Sequence, residues 1–213
     1  MSQWHFYRPS AGHRLPHDPF KAIVAPRPIG WISTLDAHAR PNLAPYSFFN
    51  AVCDAPPMVM FSSSSPKDTQ ANVEATGEFV VNLATRALAE AMNTSSAVVP
   101  HGVDESALAG LETLPCEVVR PRRVALSPAA LECRLVHVLP LTTIEGTATT
   151  STVLIGQVVG VHLDTTCLRD GLFDMTAAGT IARCGYRGDY VQVTELFEML
   201  RPAGGGAAGR SAR

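Results

Sequence analysis

Short apolar runs, each broken by Pro or Gly, set the pattern of this chain. Gly30–Leu35 and Asn42–Phe49 are the first two runs, with Asp36–Arg40 as the turn between them. Met58–Phe61 follows the breaker Pro56-Pro57, and Phe79–Leu83 comes next. Later runs are Glu117–Ala125, Leu131–Leu139 and Thr152–Leu163. They are rich in Val, Ile, Thr and aromatic residues, which favour a pleated, half-buried surface. Seven predicted strands at this spacing point to a closed or nearly closed β-barrel. The expected fold class is therefore mainly β with a few helices.

The clearest helical signal is Gln70–Thr76. Ser65 is the expected N-cap, Pro66 the first helical position and Gly77 the stop. Arg86–Asn93, Glu105–Leu111, Met175–Ala182 and Thr194–Leu200 are further predicted helices. Residues 1–19 read as an irregular leader, 20–202 as one domain, and 203–213 as a flexible Gly- and Ala-rich tail.

Charge changes the picture by exclusion. Seventeen Lys and Arg against nineteen Asp and Glu leave a net charge of -2. A nucleic-acid binder needs a basic face, and a polybasic membrane-surface protein needs a cationic cluster. Neither partner is expected. Charged residues are only 17% and hydrophobic ones 46%. That balance excludes global disorder and leaves room for burial against a second copy or a bulky ligand. No stretch reads as a secretory signal or a membrane span. The five cysteines are scattered, without a C-x-x-C pair, so neither a disulfide framework nor a zinc site is expected. These features predict a cytoplasmic protein without a metal. His137 and His162 lie on predicted strands, where a hydrogen-bonded core or interface role is favoured over a ligand role.

Candidate chemistry concentrates between Pro26 and Asn72. Pro26 and Pro28 stiffen the backbone around Arg27. Arg27 is then either a presented guanidinium or a surface residue at a strand entrance. Asn42, Ser47 and Asn50 sit among apolar neighbours and need partners, from a ligand or from backbone. Ser62-Ser63-Ser64-Ser65 leads into a predicted helix start carrying Lys67 and Thr69. Amides, hydroxyls, the helix dipole and a cation converge there, which favours a bound phosphate over a merely capped helix. No P-loop or Rossmann glycine motif is present.

The order PRPIGWIST, RPNLAPYSFFN, PPMVMFS and KDTQANVEATGEFVVNL resembles the flavin reductase-like proteins. LIGQVVGVHLD and the Arg183-Cys184-Gly185 segment with Tyr190 extend the likeness over most of the chain. The resemblance implies an FMN-binding split barrel, as a homodimer with flavin at the interface. It implies that Ser33, Thr34, Tyr46, Ser47, Phe48, Phe49 and Asn50 line the flavin. Ser62, Ser63, Lys67 and Thr69 would hold its phosphate and ribityl chain, with Arg27 and Arg183 as further phosphate or partner-subunit contacts. The implied activity is hydride transfer from NADH or NADPH to FMN, with FAD as the alternative flavin. Reduced flavin or electrons would go to an oxygenase or another acceptor protein. The flavin supplies the chemistry, so no acid–base residue is expected. The rival readings are a flavoredoxin-like carrier with tightly held FMN and a non-catalytic flavin-binding module. One departure stands out: relatives place Gly at the end of the first hairpin turn, and this chain has Asp36-Ala37-His38-Ala39.

Overall fold

A computed structural model describes residues 3–200 and Pro202. The expected tail, 203–213, lies outside the described residues. No helix among the described residues is long and apolar enough to cross a membrane.

Seven strands form one antiparallel sheet. They are β2 (Gly30–Leu35), β3 (Pro41–Tyr46), β4 (Phe49–Asp54), β5 (Pro57–Ser63), β6 (Glu78–Leu83), β9 (Ala129–Thr142) and β10 (Ala148–Leu163). Their order is β3-β2-β6-β9-β10-β5-β4. The two edge strands, β3 and β4, are thus consecutive in the chain, joined only by Ser47 and Phe48. Three peptide steps span at most about 11 Å. A flat sheet of this width would hold its edges about 29 Å apart. The sheet must therefore roll until its edges meet. The Tyr46 and Phe61 rings, from strands near opposite ends of the order, lie 4.9 Å apart. No ladder joins β3 to β4, so the roll is left open along that seam.

Smaller strands complete the structure. β1 (Arg27–Pro28), β13 (Ile181–Arg183) and β14 (Tyr190–Gln192) form a three-stranded sheet. β7 (Thr113–Leu114) pairs with β8 (Arg123–Val124), and β11 (Leu168–Arg169) with β12 (Leu172–Phe173). The helices are α1 (Phe20–Ile23), α2 (Asp68–Thr76), α3 (Ala89–Thr94) and α4 (Glu105–Leu108).

The barrel interior holds Ile32, Val59, Phe61, Val73, Phe79, Val81, Cys133 and Leu154, with the Tyr46 ring. A second cluster packs Trp31, Leu43, Leu88, Met92, Val124 and Ile181 against the other side of β2. β2 is buried on both faces, so its sequence does not alternate between apolar and polar positions, and its two polar side chains, Ser33 and Thr34, are themselves buried.

Several expectations are corrected. Asn42–Phe49 is not one strand. It breaks at Ser47-Phe48, where the chain crosses the seam, and β4 begins at Phe49. Glu117–Ala125 is mostly not a strand. Pro115 and Pro121 supply no N–H, and the Glu132 carboxylate takes the amides of Glu117, Val118 and Val119. Met175–Ala182 is a turn followed by β13. Asp174 Oδ1 accepts the Thr176 and Ala177 amides and closes that turn. Thr194–Leu200 has no helix. α2 starts at Asp68 with Lys67 at the N-cap position, two residues later than a Ser65 cap requires, and no side chain caps it. Its end is as expected, with Gly77 left-handed at φ 72°.

Candidate functional site

β3 forms the floor of a groove with two lobes. One lobe, of about 320 Å³, is lined by Asn42, Tyr46, Lys67, Thr69, His101 and Glu105, among others. The other, of about 760 Å³, is lined by Ser47, Arg86, Glu90, Arg183, Arg187 and Tyr190, among others. Pro45 and Ser96 line both, so the lobes are adjacent.

The smaller lobe sits at the start of α2. The first amides of a helix have no partner inside it, and here no side chain supplies one. Lys67 is exposed, 5.9 Å from the Tyr46 ring centroid. It makes no ion pair among the described residues. The Tyr46 hydroxyl is buried without a hydrogen bond, although the Thr69 and Ser63 hydroxyls lie nearby. Burial pushes its pKa above the ordinary phenol value, against the smaller opposing pull of those hydroxyls. Two carboxyls share the lobe. Asp68 is engaged by His101 Nδ1 at 3.0 Å. Glu105 Oε2 accepts the Leu43 amide at 2.9 Å, and burial raises the Glu105 pKa. The lone unpaired cation and the uncapped amides make this an anion-accepting end.

The structure divides the expected site residues into three groups. Tyr46, Ser47, Lys67, Thr69 and Arg183 line the groove. Phe48, Phe49, Asn50 and Ser62 lie at the seam or beyond it, on β4 and β5. Phe48 is 40% exposed and its carbonyl accepts the Ser62 amide at 2.8 Å. Phe49 packs against the interior cluster, and Asn50 Oδ1 accepts the Ala51 amide. The third group is committed to holding the fold. Ser33 Oγ accepts Asn82 Nδ2 at 2.8 Å, and Thr34 Oγ1 accepts Asn72 Nδ2 at 3.0 Å. Ser63 Oγ donates to the Ser65 carbonyl at 2.7 Å. Buried Arg27 donates to the Lys21, Val24 and Cys184 carbonyls, leaving only Nε unpartnered. Its guanidinium faces Phe48 at 5.9 Å. Thr69 also accepts Asn42 Nδ2 at 2.9 Å.

The family model for the flavin reductase like domain matches residues 24–178. The chain belongs to the flavin reductase-like family. An uncharacterised protein of Deinococcus radiodurans is 33% identical over 94% of this chain and 91% of its own length. Nitrilotriacetate monooxygenase component B from Bacillus cereus superposes with a TM-score of 0.79 at 29% identity, covering 84% of this chain and 90% of that one. Flavoredoxin of Desulfovibrio vulgaris superposes with a TM-score of 0.73 at 25% identity, covering 84% and 92%. The fold is shared with a split barrel domain protein from Shewanella frigidimarina, which superposes with a TM-score of 0.77 at 22% identity, covering 86% of this chain and 90% of that one. The rolled sheet with its open β3–β4 seam is this split barrel.

Of the far lobe, sequence reasoning named Ser47 and Arg183 and missed the rest. Arg86, Arg187 and Ser96 give no local signal, because they come from three loops that meet only in the fold. Glu105 was equally silent, a carboxyl in a short helix that turns inward to cap a β3 amide. Cys116, Glu132 and His162 also converge, with ligand atoms within 4.8 Å of one another. Glu132 already accepts His162 Nε2–H and three amides there. His137 is exposed on the outer face of β9.

Proposed function

We propose that the protein binds FMN along β3 and acts as an NAD(P)H-dependent flavin reductase. The observation that carries this reading is the smaller lobe, where unpaired Lys67 meets the uncapped start of α2 above the unpartnered Tyr46 hydroxyl. A phosphate fits that donor set, since it offers acceptors to an ammonium, to amides and to a phenol at once. Family membership and the 29%-identical monooxygenase component support the same reading.

When bound, the flavin supplies the hydride acceptor for the nicotinamide donor. The chain's own residues bind and orient. Lys67 and Thr69 hold the phosphate end, while Tyr46 and Ser47 line the floor. Phe48, Phe49 and Asn50 place the seam against the ring, with Ser62 beside them. Arg27, Ser33, Thr34 and Ser63 act one step back by fixing the backbone of β1, β2 and β5. Arg183 stands at the far end. We further propose a homodimer, with an oxygenase or an electron-acceptor protein downstream. Met60 and Ile155 stand opposite each other in the sheet, and His137 follows on β9. With Val153 and exposed Leu139 they form an outward apolar face suited to a second copy.

The test compares ligands that differ only in the phosphate. Lys67→Ala should weaken FMN binding about five- to 150-fold, the range for a hydrogen bond to a charged group. Riboflavin binding should stay unchanged. Equal loss for both ligands, or wild-type protein that binds no flavin, would refute the assignment. The likeness to flavoredoxin favours one second reading, a carrier with tightly held FMN. FMN retained through gel filtration identifies the carrier, and rapid exchange the reductase.

A further inference from the structure

The larger lobe has its own chemistry. Three guanidiniums line it, from Arg86, Arg183 and Arg187, against one carboxylate, Glu90. None of the three arginines makes an ion pair among the described residues. In a chain of net charge -2, this is a local reversal of sign. Unpaired guanidiniums facing one cavity repel each other, and an anion between them removes that cost.

The arginines are brought together by main-chain ties and not by sequence proximity. Thr85 bridges Thr180, and the Arg86 amide donates to the Gly179 carbonyl at 2.8 Å. These bonds fix the start of the Arg86 segment against β13. On the other side Asp189 closes the loop that carries Arg187. Its Oδ2 accepts the Tyr186 amide at 3.0 Å, and its carbonyl accepts the Cys184 amide at 2.9 Å. Arg183 lies 4.6 Å from the Tyr190 ring centroid. That pair offers a planar cation and an aromatic face to a stacking base. A volume of about 760 Å³ falls within the size of small-molecule sites, roughly 300–1,000 Å³.

We propose that this lobe binds the phosphorylated ribose of the nicotinamide donor and thereby selects NADPH over NADH. Arg86 and Arg187 hold the 2′-phosphate, and Tyr190 with Arg183 carries the adenine. A 2′-phosphate is close to a dianion at neutral pH and suits the forked guanidinium better than a neutral hydroxyl does. The lobe lies beside the Lys67 lobe, with Pro45 and Ser96 lining both, so a donor anchored here points toward the flavin end of the groove. The inference rests on the flavin reading for the donor's role, but the anion site itself does not require bound flavin.

Calorimetric titration of the FMN-loaded protein with 2′,5′-ADP and with 5′-ADP tests it. The 2′,5′-isomer should bind about tenfold tighter or better, and the double variant Arg86→Ala, Arg187→Ala should abolish the difference. Both side chains are exposed, and Arg187→Lys, which keeps charge but loses the fork, should show an intermediate ratio. In turnover, the NADPH-to-NADH ratio of kcat/KM should fall in parallel. Equal affinities for the two ADP isomers in wild-type protein would overturn the proposal. So would a double variant that loses FMN affinity and keeps the ADP preference, because the arginines would then serve the flavin phosphate. Failure of the flavin reading shows separately, as absence of FMN binding, and the same titration on flavin-free protein still decides this inference.

Discussion

Glu132 Oε1 accepts the Nε2–H of His162 at 2.6 Å, across the paired strands β9 and β10. The same carboxylate accepts the amides of Glu117, Val118 and Val119 at 2.9, 2.7 and 2.8 Å. Gly160 stands opposite Glu132, and a Cβ there would come within 3.1 Å of Glu132 Cδ. One buried charge thus replaces a strand ladder for the 117–119 segment. Glu132→Gln puts an amide donor among those donors and should cost about 1.5–3 kcal/mol. Urea denaturation measures it, and unchanged stability would show that the carboxylate does not hold the segment.

Glu132 also predicts a pH dependence. Burial opposes its ionisation, but the Glu117 and Val118 amides, His162 and the Val119 amide outweigh burial and hold its pKa below the usual 4.5. Its stabilising contribution is complete above the unfolded value and is lost as pH falls through the depressed folded value. The wild-type protein should lose stability on acidification more steeply than Glu132→Gln. Parallel pH profiles would contradict this.

Asp36 is a second acid-side marker. The Arg40 amide is the largest influence; with the Arg40 side chain and the His38 amide it outweighs the opposing effect of burial and holds the pKa at about 2. An NMR titration should place its midpoint near that value. As pH falls toward it, the β2–β3 turn loses the Asp36 contacts, so hairpin amide protection should fall in the same window. A midpoint near 3.8, the ordinary value, would mean these bonds do not persist in solution.

Ala39 ends the β2–β3 turn in the left-handed region, with φ 61°. A Cβ in the left-handed region costs about 1–2 kcal/mol, partly offset by the greater unfolded-state freedom of Gly. Ala39→Gly should therefore stabilise the protein by about 0.5–1 kcal/mol. A lower melting temperature in the variant would refute this.

Gly30 and Gly156 should separate by what they press on. A Cβ at Gly30 would sit 2.6 Å from Phe49 Cδ2, and one at Gly156 would strike the Phe79 ring. Phe49 is half-buried at the seam and can swing, whereas Phe79 is fully buried. Gly156→Ala should cost about 1–3 kcal/mol, the range for overpacking. Gly30→Ala should cost less but weaken FMN binding by displacing Phe49. Equal stability loss with unchanged FMN affinity would refute the distinction.

By itself the sequence determined the mainly β class, most strands of the large sheet and the placement of Lys67 and Thr69 at a helix start. Gly30–Leu35 and Phe79–Leu83 were legible because a strand buried on both faces is mostly apolar, with its few polar side chains, Ser33, Thr34 and Asn82, paired inside the fold. The Ser62–Thr69 segment was legible because a helix start, its amides and its nearest cation are neighbours in the chain. The resemblance to the flavin reductase-like family rested on the same contiguous motifs. Only the tertiary structure decided the rest. Asn42–Phe49 looked like one strand because apolar alternation does not record that the chain crosses a seam at Ser47. The amides of Glu117, Val118 and Val119 found a carboxylate fifteen, fourteen and thirteen residues away, a competition that no local propensity carries. Arg27, Ser33, Thr34 and Ser63 proved to be held by backbone and amide partners, since hydrogen-bonding capacity in sequence does not say who supplies the partner. Arg86, Arg183 and Arg187 became one site only when the Thr85–Thr180 bridge joined their segments. Charges distant in sequence act together only once folding sets the distance between them.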